Sequence, residues 1–135
     1  MKTDTALHLK HREVTEKIIQ CFYTVYNHFG FGFLESVYEQ AMILELEANG
    51  ASVKSQVPID VFYRGKVVGE FRADLLVEEK VLVELKAARA IEPAFEAQLL
   101  HYLKATQMEV GLLLNFGHKP EFKRFLFDNP RKMNR

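Results

Sequence analysis

A single cysteine, Cys21, stands in the 135 residues, so no disulfide can form within the chain. It falls among apolar residues at helical spacing, and no His or Asn pattern marks it as a nucleophile, so a small buried thiol is expected. Long apolar runs are missing as well. The opening MKTDTALHLKHREV has no apolar core of the kind a secretory leader needs, and no segment nears the ~18 uninterrupted apolar residues of a membrane span. These absences predict a reducing, cytoplasmic setting and no membrane partner. Charge of one sign is absent too: 18 basic residues balance 18 acidic ones. Internal repeats, low-complexity tracts and long linkers are lacking, so residues 1–135 read as one domain. A chain of this length can bury roughly two-thirds of its unfolded surface, which removes the need for a disulfide or structural metal.

Several site types are excluded on spacing. His28, His101 and His118 are scattered with no pair at metal-ligand separation, and His8 and His11 share a face only near the start of the chain. GFGF at 30–33 lacks the Gly-Lys pattern and the preceding strand of a phosphate loop. No Ser occupies a Gly-x-Ser-x-Gly setting, and Ser36 reads as a helix surface residue.

The pattern that is present orders itself readily. Val14, Ile18, Phe22, Val25 and Phe29 recur at helical spacing and predict an amphipathic helix over about residues 6–28. A second helix is expected from about Phe33 to Ala48, with Leu34, Tyr38, Ala41 and Leu44 on one face and Asn49-Gly50 as its stop. Val57, Ile59 and Val61 alternate as a strand does, and Pro58 within that run favours an edge position. YRGK marks a turn into a strand from Val67 to Val77, and EEK turns into a third from Val81 to Lys86. Pro93 suits the first turn of a helix reaching about Gln107. VGLLLNFG is a continuous apolar run of the sort shown by a strand covered on both faces. EFKRFLF fits either a short helix or a strand. The order α-α-β-β-β-α-β implies an α/β fold, a small mixed β-sheet flanked by helices.

RADLLVEEKVLVELKAA, residues 72–88, sets Asp74, Glu84 and Lys86 into runs that otherwise look like core. An unpaired buried charge costs several kcal/mol, so these groups must be solvated, paired or bound. If residues 78–80 form the turn, Val77 pairs with Val81, Leu76 with Leu82 and Asp74 with Glu84. One face then carries Leu75, Val77, Val81, Val83 and Leu85, and the other gathers Asp74, Glu84 and Lys86 beyond Leu76 and Leu82. A two-residue turn would send the two acids to opposite faces, so the clean apolar face favours the longer one. Adjacent acids repel unless a proton or cation lies between them, and Mg²⁺ or Mn²⁺ takes one or two carboxylates plus waters and phosphates. Lys86 beside such a site could orient a water or stabilise charge on a phosphate. The ordinary alternative is a polar strand face with a cross-strand Lys–Glu pair worth a fraction of a kcal/mol. Glu35 and Tyr38, three apart, and Gln98 and Tyr102, four apart, share helix faces. Packing at the core edge is the simple account of both pairs.

GFLESVY (Gly32, Glu35, Tyr38), FRADLLVEEKVLVELKA, EAQLLHYLK and VGLLLNFG together resemble the GxxExxY protein family, which is assigned to the PD-(D/E)XK nuclease superfamily. The similarity runs from about residue 10 to residue 127, with the motifs in the family's order. The resemblance implies a restriction-endonuclease-like core with Asp74 and Glu84 as metal-binding acids, the Leu85 carbonyl as a further ligand and Lys86 as the signature lysine. Glu35 would be the helix-borne acid completing the catalytic and metal set. Gln98 and Tyr102 resemble a Gln-x-x-x-Tyr motif that positions nucleic acid, and Tyr38 joins them as a substrate-binding candidate. The proline naming the superfamily's first motif is absent, since Ala73 precedes Asp74.

The expected function is therefore a Mg²⁺- or Mn²⁺-dependent nuclease acting on DNA or RNA. A phosphatase on small phosphoesters would use the same atoms. A reading from another class is a catalytically silent interaction protein with a nuclease fold, whose FKRFLF segment packs at a homodimer interface. Charge placement is compatible with phosphate handling: six basic and two acidic residues lie between Lys119 and Arg135.

Overall fold

A computed structural model describes residues 10–129. Helix α1 (Arg12–Phe29) is followed by α2 (Glu35–Ala48), strands β1 (Val53–Tyr63), β2 (Lys66–Val77) and β3 (Val81–Lys86), helix α3 (Pro93–Ala105), and strands β4 (Val110–Phe116) and β5 (Pro120–Leu126). The five strands form one mixed sheet in the order β1-β2-β3-β4-β5. The β3–β4 pair is parallel and the others antiparallel. Helices α1 and α2 cover one face and α3 the other, giving the expected sheet between helices.

The helices follow their apolar spacing with one adjustment. In α1, Ile18, Cys21, Phe22 and Val25 are buried, so Cys21 is the core thiol expected of it. The first residues assigned to this helix, 6–9, lie outside the described residues. In α2 the buried stripe is Tyr38, Met42 and Leu46, at a spacing of four. Leu34 precedes the helix and is 76% exposed, and Leu44 is 69% exposed, so the expected face of Leu34, Tyr38, Ala41 and Leu44 is displaced. The spacing of three followed through Ala41 and Leu44 drifts backward around the helix, whereas 38, 42 and 46 stay on the side that meets the sheet. Helix α3 begins with Pro93 in its first turn and ends at Ala105, two residues before the expected Gln107.

The hairpins settle the strand register. Tyr63 pairs with Lys66 across Arg64 and Gly65, both with left-handed φ (51° and 76°), the conformation a two-residue turn needs to match strand twist. Val77 pairs with Val81 and Leu76 with Leu82, so residues 78–80 form the three-residue turn. β1, carrying Pro58, lies at the sheet edge. EFKRFLF resolves as β5, antiparallel to β4 at the opposite edge. β4 is buried along its whole length between β3 and β5.

One interior polar contact fixes the chain just past β3. Asn115 is fully buried, and its amide accepts from Ala88 N (2.9 Å) and donates to Ala88 O (3.0 Å), closing both backbone groups of that residue. Gly117 allows this approach, because a Cβ there would meet Ala88 O at 2.4 Å. The Tyr26 hydroxyl donates to Gly117 O (2.8 Å) and ties α1 to the same point. Asn115→Ala leaves both Ala88 groups without their side-chain partner and is expected to destabilise the fold by roughly 2 kcal/mol or more, at least about 1 for each group orphaned. Urea unfolding of the two proteins measures this as a lower midpoint at unchanged slope.

Candidate active site

The antiparallel β2–β3 ladder stops at Leu75↔Val83, one step before Asp74 and Glu84. Beyond that step side chains replace backbone. Asp74 N donates to Glu84 Oε1 (3.1 Å), and Leu85 N donates to Asp74 Oδ2 (2.7 Å). Each acid thus bridges the gap that has opened between the strands.

The opening has a cause in β1 and β2. Val53, Leu75 and Val77 pack with α1 and α2, whereas Val57, Ile59 and Ala73 pack with α3. All stand at odd positions, so regular alternation would put them on one face. The exchange occurs between the pairs Ser55↔Leu75 and Val57↔Ala73, that is, at Gln56 and Asp74. Gln56 carries φ 51°, a left-handed value uncommon for a residue with a Cβ. Its carbonyl accepts from Arg72 Nη1 (3.2 Å), and its amide donates to Glu39 Oε1 (2.8 Å) on α2. The hairpin therefore twists over at Asp74 and carries β2 away from β3.

Helix α3 supplies the rest of the cluster. Lys86 Nζ donates to Gln98 Oε1 (3.3 Å) and lies over the Phe95 ring (4.7 Å to its centroid). Gln98 also bonds the Tyr102 hydroxyl, so one amide links lysine and phenol. Tyr102 is nearly buried, with Phe71 from β2 tilted against its ring at 5.1 Å. Burial, then the negative charges of Glu84 and Asp74, push the Tyr102 hydroxyl up to about 12, which keeps it a proton donor at neutral pH. Asp74, Glu84, Lys86, Gln98 and Tyr102 are thus brought together on the α3 side of the sheet.

Glu84 is only 4% exposed. Burial first, and then the neighbouring charge of Asp74, raise its carboxyl to about 8, so the bare pair holds a proton at neutral pH. Two like charges cannot both ionise at this separation without a cation or proton to offset them.

The helix-borne candidates behave differently. Glu35 opens α2 and is exposed, and among the described residues no three His, Cys, Asp or Glu side chains are placed to hold a metal ion together. Tyr38 is fully buried: it stacks on Phe116 (4.2 Å), donates to Gly30 O (2.6 Å) and accepts from Phe33 N (3.3 Å). It is closed to a substrate, because its ring fills the core and its hydroxyl satisfies the loop before α2. Glu39, one turn after Glu35, is the acid that sequence reasoning passed over. Burial first, with the charges of Asp74 and Glu35 in support, raises its carboxyl against the Gln56 hydrogen bond. The i, i+4 spacing of Glu35 and Glu39 was the available signal, but only the twist at Gln56 brings α2 against Asp74.

The donor set fits a hard divalent cation. Asp74 and Glu84 offer adjacent carboxyl oxygens, and Leu85 adds its carbonyl, which points to the same side of β3 as its N–H and hence toward Asp74. Two carboxylates and a carbonyl, with water completing the sphere, suit Mg²⁺ or Mn²⁺ better than softer metals.

The chain belongs to the PD-(D/E)XK nuclease superfamily, whose family model matches residues 12–125. Solved structures of the same fold include SSO0001, at 19% identity and TM-score 0.55 over 69% of this chain and 50% of that one. Another is an alkaline exonuclease, LHK-Exo, from Laribacter hongkongensis, at 14% identity and TM-score 0.53 over 70% of this chain and 57% of that one. The chain thus spans about half the length of each. No curated protein matches it significantly.

A pH prediction follows from the acid pair. The folded carboxyl of Glu84 titrates near 8, above its ordinary value of 4.5, so its contribution to stability is fully present below 4.5 and is lost as pH rises through 8. Glu84→Gln mimics the protonated acid and is expected to melt above wild type at pH 8.5 by at least about 3 °C in EDTA, the gap closing at pH 5. Thermal melts across that range decide it; a constant difference at all pH values contradicts the raised Glu84 carboxyl.

Proposed function

We propose that this chain is a metal-dependent nuclease hydrolysing phosphodiester bonds in DNA or RNA, with Asp74, Glu84 and the Leu85 carbonyl holding the ion. The observation that carries this reading is the opened β2–β3 ladder, where two acid side chains and Lys86 converge on one face. A structural ion pair has no need to interrupt backbone pairing in this way. Superfamily membership supports the same chemistry. Mg²⁺ or Mn²⁺ bound there would polarise the scissile phosphate and make a bound water more acidic.

The chain's own groups divide the remaining work. Lys86, steadied by Gln98 and the Phe95 ring, holds a positive charge where the phosphate gains negative charge and can orient the attacking water. Tyr102, kept protonated, donates a hydrogen bond to a phosphate oxygen, with Gln98 setting its direction. Glu39, backed by Glu35 at the start of α2, adds negative charge beside Asp74 and favours the cation. Gly32, Glu35 and Tyr38 support a place in the GxxExxY group, with Tyr38 shaping the loop rather than touching substrate. We read the chain as one domain working in the cytoplasm; among the described residues no helix is long and apolar enough to cross a membrane.

The second reading, a silent interaction protein, has one observation in its favour. Asp74 and Glu84 already satisfy each other and Leu85 N without an ion. The edge strand β5, with Phe122 38% exposed, is where a second copy could pair.

Cleavage assays separate the two. Wild type in Mg²⁺ or Mn²⁺ should cut single- or double-stranded DNA or RNA, and Lys86→Ala should lose on the order of 10²-fold or more in rate while melting normally. Mn²⁺ at about 100 times its Kd should raise the melting temperature of wild type by several degrees and leave Glu84→Ala unmoved. Cleavage by Lys86→Ala at the wild-type rate would remove that residue from the chemistry, and absence of both cleavage and Mn²⁺ stabilisation would favour the interaction protein.

A further inference from the structure

Beyond the carboxyl pair, a second concavity opens where β3 and β4 end. Phe31, Phe33, Ala87, Arg89, Phe116 and His118 line it, and no carboxylate does. Ala87, the residue following Lys86, is part of its lining, so the end of β3 leads from the site described above to this cleft.

Its aromatic walls are both exposed and held in place. Phe31 is 55% exposed and rests on the His118 ring at 4.4 Å. Phe33 is 47% exposed and is braced edge-on by Phe29 at 5.2 Å, while its own N–H is anchored on the Tyr38 hydroxyl. Leu34, next along, is 76% exposed. Three large apolar side chains lie unburied within four residues, two of them held by ring contacts, as on a surface that expects a partner. The opposite wall is clamped by Asn115 through Ala88, so neither side is free to collapse and hide the rings. Arg89, His118 and the neighbouring Lys119 are exposed and place basic groups around the opening.

Flat aromatic faces beside cationic groups suit a nucleobase with its phosphate. In a duplex both faces of each base are covered by its neighbours, so only an unpaired base can stack on a side chain. We propose that this cleft binds single-stranded nucleic acid, one unpaired base stacking on Phe31 and Phe33 while Arg89 contacts the adjacent phosphate. The assignment rests on the nuclease reading and deepens it, naming a single strand as the substrate class and the cleft as the place that selects it. Base stacking on an aromatic side chain is tolerant of sequence, so the preference is for strandedness rather than for a motif.

Fluorescence anisotropy with the full chain tests this in EDTA, where no cleavage interferes. The probes are labelled oligothymidylate, oligouridylate and a hairpin duplex. Wild type is expected to bind the single strands more tightly than the duplex, and Phe31→Ala to lose about tenfold in affinity for them, with Phe31→Trp retaining it. Arg89→Ala, at an exposed position, serves as an independent variant and is expected to flatten the salt dependence of binding. Equal affinity of wild type and Phe31→Ala, or preference for the duplex, overturns the cleft. Metal-dependent cleavage of the same probes, run in parallel, keeps the two readings apart. Cleavage that needs Lys86 but ignores Phe31 keeps the nuclease and overturns the cleft. Binding that needs Phe31 with no cleavage in any metal overturns the nuclease and keeps a single-strand binding cleft.

Discussion

The exchange of backbone hydrogen bonds for carboxylate ones where the β2–β3 ladder stops is the constraint around which the molecule is arranged. Asp74 accepts from Leu85 N and gives its own N–H to Glu84, so the two strands remain joined after their ladder has ended. A buried carboxylate is expensive, and Glu84 is tolerated because it receives an amide and keeps its proton at neutral pH. Freed from β3, the distal part of β2 leaves with β1 as a twisted ribbon. That departure brings Phe71 onto Tyr102 and turns the acid pair toward the α3 side. Were the ladder to run on regularly, the acids would have no gap to face.

Positioning of Lys86 depends on what lies on either side of it. On the helix side, Gln98 and Phe95 hold its ammonium, and α3 itself sits close to the sheet because Gly111 leaves room for Leu99, whose carbons would stand 3.0 Å from a Cβ there. On the chain side, Asn115 grips Ala88 two residues later. The lysine therefore projects from a strand end fixed at both flanks. The aromatic stack of Phe22, Phe116 and Tyr38 carries this rigidity into α1 and α2.

Charge is arranged rather than accumulated. The chain is neutral overall, yet the carboxyl pair with Glu39 gathers where the β2–β3 ladder stops, while Arg89 and His118 line a separate cleft with the exposed Lys119 next along the chain. A neutral chain thus carries local fields of opposite sign on its surface.

The sequence by itself determined the elements and the polar face of the hairpin. Helix spacing, Pro93, the Arg64-Gly65 turn and the uninterrupted apolar run of β4 are local signals, read without knowing what packs where. The three-residue turn at 78–80 was legible because only that register leaves Leu75, Val77, Val81, Val83 and Leu85 on one face, and the pairing of Val77 with Val81 agrees. Asp74, Glu84, Lys86, Gln98 and Tyr102 were readable as candidates through strand and helix periodicity and through resemblance. Other features depended on contacts between elements distant in the chain, and only the tertiary structure decided them. Periodicity put Glu35 and Tyr38 on one helix face, but the packing of α2 buries Tyr38 on Phe116 and leaves Glu35 outside. Glu39 gained its neighbour Asp74 through the left-handed Gln56, a backbone state that an L-residue does not announce. The ambiguous EFKRFLF became a strand because β4 offered an unpaired edge. Short-range patterns record which surface each element buries; which side chains finally meet is set by the twist and closure of the whole sheet, to which no single stretch of sequence has access.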